Sequence, residues 1–117
     1  MTKSETIRKQ LGMLGIPPHM AGYRYLEQAD ALWRPGCMVT KDIYPDIAKH
    51  NRTTFAAVER GIRCAIKYAW DYQRGNLGAI FETFGLWAIH TRPKPAELIA
   101  AVAIWAGAGE GGETDED

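Results

Sequence analysis

Helix breakers recur along this chain at short intervals, and they constrain its architecture more tightly than any other feature. Gly15 with Pro17-Pro18, Pro35-Gly36, Gly75-Asn76, Gly85 and the stretch Pro93-Lys94-Pro95 cut the 117 residues into pieces of a few helical turns each. Proline lacks a backbone N–H and glycine favours turn conformations, so neither continues a helix readily. Between the breaks, apolar residues recur at steps of three and four, and no period-2 alternation persists long enough to argue for a sheet. The expected fold is all-α: one six-helix domain over residues 1–106, followed by a disordered acidic tail over 107–117.

The first helix opens at Thr2 with Glu5 three residues on, a capping-box spacing, and Ile7, Leu11 and Leu14 form its apolar side. A second is expected over 18–33, with Met20, Tyr23, Leu26, Ala29 and Leu32 on one side. The third, about 43–50, carries Pro45 in its first turn, where the missing N–H costs nothing. The longest follows over 54–73, a short one over 77–84, then a connector, and a last helix over 95–106.

Composition places the chain among ordinary globular domains, at 46% hydrophobic and 24% charged. That excludes a disordered chain, a collagen and a disulfide-stapled miniprotein. The formal net charge of zero conceals a segregation. Five acidic groups and no basic ones lie in 107–117, leaving 14 basic against 9 acidic residues on 1–106, a net of +5. The folded part is therefore basic. Glycines with like charges at a terminus read as a solvating tail, and the sharper reading is a strand of carboxylates that mimics DNA and competes for the basic face.

Cys37 and Cys64 fit neither a disulfide framework nor a metal-ligand spacing, and are expected as small buried residues in a reducing compartment. The longest apolar run, 98–106, falls well short of the ~20 residues a membrane span needs. With no apolar leader at the start, the expectation is a soluble, cytoplasmic protein without a membrane partner. His19, His50 and His90 lie at least thirty residues apart, so no metal site is expected. No glycine-rich phosphate loop or nucleophile elbow occurs, so neither a cofactor nor enzyme activity is expected. His50 suits a helix C-terminus or a phosphate neighbour. The four tryptophans suit core and contact anchors better than a stacking platform.

Residues 43–74 carry the chemistry. A short helix, a polar turn and a long helix make the layout of a helix-turn-helix, whose second helix enters the DNA major groove. Ile47 and Ala48 are placed to pack on the second helix, and Thr53 or Thr54 to cap it. Projected at about 100° per residue, Phe55, Val58, Ile62, Ile66 and Ala69 gather into a core face. Opposite them, Ala56, Arg60, Arg63, Lys67 and Arg74 superpose as a stripe, with Glu59 at its margin. Residues 49–74 hold six basic against two acidic side chains, a net of +4. Arginine pairs with guanine or phosphate, glutamate accepts from cytosine, and small residues such as Ala56 and Ala57 let the helix approach the bases. A solvated face of an ordinary bundle would also be charged, but it would not require the short helix and polar turn that precede this stripe. Lys49, Arg52, Thr53, Thr54, Lys67 and Arg74 are the expected phosphate contacts.

These residues also carry a more specific resemblance. Gly22-Tyr-Arg-Tyr-Leu26, Tyr44-Pro-Asp-Ile-Ala-Lys49, Thr53-Thr54, Val58-Glu-Arg60, Ile62-Arg63, Ala69-Trp70, Gly75-Asn76, Phe84-Gly85 and Lys94-Pro95 are similar to the C-terminal effector domain of the sporulation-initiation response regulators. Those are transcription factors at the end of a phosphorelay in endospore-forming bacteria. The resemblance spans about residues 5–104. It implies a six-helix domain with an embedded helix-turn-helix, binding to short double-stranded DNA boxes as tandem copies or a homodimer, and contact with an RNA polymerase sigma factor. It carries base reading over to Glu59, Arg60 and Arg63. Two departures stand out: Ala56-Ala57 replaces the family's usual Ser-Arg, and the connector after Lys94-Pro95 is shorter. With about four residues ahead of the first helix, no phosphoacceptor receiver is expected in this chain. The missing arginine at Ala57 keeps a second reading open, a protein-interaction module that binds RNA polymerase or a full-length regulator without an operator of its own.

Overall fold

A computed structural model of the chain describes residues 2–85 and 87–114, with the side chains of residues 87 and 108–114 outside the description. The capping box forms as its spacing predicts. Glu5 N donates to Thr2 Oγ1 at 3.1 Å and Thr2 N donates to Glu5 Oε1 at 2.9 Å, opening α1 (Lys3–Met13). The hydrogen bond with Thr2 also lowers the pKa of the Glu5 carboxyl.

Six further helices follow: α2 (Ala21–Leu32), α3 (Tyr44–His50), α4 (Phe55–Asp71), α5 (Leu77–Phe84), α6 (Trp87–His90) and α7 (Pro95–Thr114). Among the described residues there is no strand, so the all-α expectation holds, with seven α-helices where the breakers predict six. The extra one, α6, is a single turn inside the expected connector. A π-helical turn, Val39–Ile43, also leads into α3, where Met38 N donates to Asp42 Oδ2 at 2.8 Å across the wide loop. The last helix runs to Thr114 rather than stopping near 106, so the expected start of the tail at 107 falls within its backbone. Residues 115–117 and the side chains of 108–114, which carry the tail's carboxylates, lie outside the described residues.

Ile7, Leu11 and Leu14 of the first helix segment, Leu26 and Ala29 of α2, Val58 and Ile62 of α4, and Leu98, Ile99 and Val102 of α7 are wholly buried together. Each large aliphatic side chain withdrawn from water stabilises the fold by about 1.5–3 kcal/mol. At the junction of α1 with the α4–α5 link, Gly15 adopts φ +85°, and Asn76 N donates to Met13 O at 2.7 Å. The Asn76 side chain then accepts from Ala79 N at 3.0 Å and starts α5.

The α2–α4 crossing positions the site. Gly22 lies against the backbone of Gly61 so closely that a Cβ there would overlap the Gly61 carbonyl oxygen and come within 2.7 Å of Ala65 Cβ. This crossing turns α2 away from the expected face. Gly22, Tyr25, Leu26, Ala29 and Asp30 point inward, whereas Leu32 is 40% exposed. Asp30 is fully buried and neither of its carboxylate oxygens has a hydrogen-bond partner among the described residues. Burial pushes its pKa well above the ordinary value, against the weaker pull of Lys3.

Both cysteines depart from expectation: Cys37 is half-buried and Cys64 is exposed on α4. Cys64 follows Arg60 by one turn, which places it beside the exposed face of α4 rather than in the core. Trp33 and Trp70 pack on the core, and Trp70 donates from Nε1 to Ala88 O at 2.7 Å. No helix of the described residues is long and apolar enough to cross a membrane, and none of their side chains cluster as a metal-ligand set.

Candidate nucleic-acid interface

Helices α3 and α4 meet through a four-residue turn, and local hydrogen bonds fix its shape. Asn51 N donates to Ile47 O at 3.0 Å and Thr53 N donates to Ala48 O at 2.9 Å. Between them Arg52 takes a left-handed backbone, φ +54°, an unusual conformation for a non-glycine residue that costs about 1 kcal/mol. The Asn51 side chain donates from Nδ2 to Ile47 O at 2.7 Å and to Gln28 Oε1 at 2.6 Å, anchoring the turn to α2. Thr54 is the residue that caps α4, its Oγ1 accepting from Ala57 N at 3.1 Å, while Thr53 serves through its backbone.

Beneath the turn, Ile47 and Ala48 of α3 and Val58 and Ile62 of α4 are buried in the core. Phe55, expected in that core, is instead 40% exposed. It occupies the first position of α4 and meets the buried Tyr44 ring edge-on, with centroids 5.6 Å apart. Burial, the Glu59 charge next, raises the Tyr44 pKa to about 12, so this phenol stays protonated at neutral pH.

The outer face of α4 brings together Ala56, Arg60, Arg63 and Lys67, all exposed, with Ala57 and Glu59 half-buried beside them. Glu59 Oε2 lies 3.7 Å from Arg63 Nη2, a pair at i,i+4. Arg60 has no ion-pair partner among the described residues, and the same is true of Lys49 and Arg52, both exposed around the turn. Lys67 is committed: its Nζ lies 2.6 Å from Asp71 Oδ2. Asp71 Oδ1 lies 3.8 Å from Arg92 Nη1 in the α6–α7 connector. The Lys67 hydrogen bond holds the Asp71 carboxyl below its ordinary pKa.

Helix α4 ends at Asp71, short of the expected 73, so Arg74 is not part of its stripe. The chain turns through Gln73 at φ +50°, and the Arg74 guanidinium lies 5.4 Å from the centroid of the Tyr68 ring, in cation–π range. Three further residues belong to this surface, one legible from local spacing and two not. Asp71 sits four residues after Lys67, a spacing that predicts pairing, whereas nothing local links Arg92 and Lys94 to α4.

The family model described as "Sporulation initiation factor Spo0A C terminal" matches residues 7–104. The chain belongs to this family, which is one of DNA-binding regulatory domains rather than of enzymes.

Proposed function

We propose that this member of the family is a sequence-specific regulator of transcription that binds double-stranded DNA, with α4 in the major groove. The outer face of α4 carries the reading: Ala56, Arg60, Arg63 and Lys67 stand exposed together on a helix whose start is fixed by a rigid turn. Small residues at its N-terminal end admit close approach, and long donors follow. Arg60 and Arg63 contact base edges, and Glu59 either accepts from cytosine or orients Arg63 through their ion pair. Lys49, Arg52, Thr53 and Thr54 hold phosphates around the turn, with Lys67 and Arg74 toward the far end. Tandem or dimeric binding and contact with an RNA polymerase sigma factor belong to the same proposal.

A mobility-shift assay with selection from random-sequence duplexes tests it. An enriched box is expected, with log K falling against log[salt] at a slope of roughly −4 to −5 for four to six phosphate contacts. A slope near zero overturns the proposal. The rival, an interaction module for polymerase or a full-length regulator, draws support from Ala57 and from the exposed Leu77 and Phe81, one turn apart on α5. Duplex binding without any enriched sequence would favour that rival.

A further inference from the structure

A cavity of about 320 Å³ opens beside α4, lined by Arg63, Ile66, Arg92, Pro93, Lys94 and Pro95. Half of this lining is cationic and none of it is acidic. Arg63 comes from α4, and Arg92 and Lys94 come from the α6–α7 connector, so the cluster exists only in the folded chain. Its walls are held in place. Pro93 is buried, Pro93 and Pro95 fix the backbone on either side of Lys94, and Lys94 N donates to Glu97 Oε1 at 2.9 Å. Asp71 tethers Arg92 from outside the cavity, at 3.8 Å.

Glu59 faces Arg63 at 3.7 Å and Asp71 faces Arg92 at 3.8 Å, both from outside the lining, and Lys94 has no ion-pair partner among the described residues. The opening itself therefore keeps an excess of positive charge that an anion would offset. The volume is about ten times the ~30 Å³ share of one water, room for a tetrahedral anion and part of its hydration shell. Arg63 belongs at once to this cavity and to the outer face of α4. An anion bound here would therefore lie directly beside whatever α4 touches.

We propose that Arg63, Arg92 and Lys94 form a phosphate-binding site that takes one backbone phosphodiester of the duplex contacted by α4. The proposal rests on the DNA-binding reading above and adds to it a second arm, from the connector. Arg63 links the two, its guanidinium shared between the groove face and the backbone. Contacts of this kind fix register and strengthen binding without reading sequence.

The test compares the full chain with the Arg92→Gln/Lys94→Gln variant in duplex titrations over a range of salt. Both side chains are solvent-accessible, so the melting temperature should not change. The double variant should bind the selected box and a random duplex more weakly by the same factor, roughly tenfold. Its salt slope should be shallower by about 1, and its selected-sequence profile unchanged. Lys9→Gln, which removes an exposed cation from α1, should leave the slope as it is. Wild-type affinity and slope in a folded double variant would overturn the proposal, as would an equal loss from Lys9→Gln. Inorganic phosphate supplies the other arm. If it shifts the amide signals of residues 92 and 94 while the double variant keeps wild-type DNA affinity, the site takes a free anion and the backbone contact is refuted. Failure of the unsubstituted chain to bind any duplex would instead refute the DNA-binding reading itself, before any variant is made.

Discussion

Lys67 Nζ donates to Asp71 Oδ2 at 2.6 Å, one turn further along α4. The same carboxylate faces Arg92, so one acidic group engages two cations at the edge of the basic surface. A phosphate approaching this end of the helix must compete with Asp71 for both. Asp71→Asn should therefore tighten duplex binding on every sequence and steepen the salt slope by about 1. Unchanged or weaker binding in a salt titration would show that neither Lys67 nor Arg92 meets the backbone.

The close crossing of α2 and α4 makes a sharp claim about Gly22. Gly22→Ala would drive a methyl into the Gly61 carbonyl and the Ala65 side chain, and overpacking of this kind costs about 1–3 kcal/mol. Gly12→Ala on α1 meets nothing within 4 Å, and should stabilise the fold by roughly 0.5–1 kcal/mol through helix propensity. Thermal melts of the two variants should move in opposite directions. Equal shifts would contradict the packing of the crossing.

Asp30 gives a pH signature. Its folded-state pKa is raised by burial, whereas the unfolded chain releases the proton near the ordinary value of 3.8. The unfolded state thus binds fewer protons across that interval, and stability falls as pH rises from about 3.8 toward the raised value. The slope from this one group is at most about 1.4 kcal/mol per pH unit. Asp30→Asn cannot ionise, so it should melt higher than the unsubstituted chain near neutral pH and lose this dependence. Urea unfolding between about pH 4 and pH 8 checks it. Parallel pH profiles for the two proteins would mean that Asp30 is ionised in the fold.

Ala57 stands half-buried in the first turn of α4, at the place where the family pattern has an arginine. Ala57→Arg should move the selected sequence toward the box preferred by family members that have the arginine, because a bidentate donor would again reach that base pair. A profile identical to that of the unsubstituted chain would count against groove entry by this end of the helix.

How far these features were legible before folding depends on their range. The Thr2–Glu5 capping box, the apolar side of α1 and the stripe of Ala56, Arg60, Arg63 and Lys67 are local patterns, and each occupies the place its spacing dictates. Periodicity identifies an apolar side but not its rotation about the helix axis. Periodicity accordingly places Leu32 and Phe55 inward, yet both lie 40% exposed, while Asp30, polar in any local reading, is buried. Rotation of α2 is set by Gly22 against Gly61, a contact between residues 39 positions apart. Arg92 and Lys94 lie still outside local reach, since only the tertiary fold carries the connector to α4. The glycines past 106 suggested an early helix end, yet the backbone of α7 continues to Thr114.

The most direct test of the account is the selected-sequence profile of Arg60→Ala, since Arg60 lies exposed on the outer face of α4 without an ion-pair partner among the described residues. Measured beside the unsubstituted chain, the variant should lose about 1–3 kcal/mol on the preferred box and relax its preference at one base pair. On random duplexes its loss should be smaller than on that box. An unaltered profile, or an equal loss on every sequence, would contradict base reading by α4.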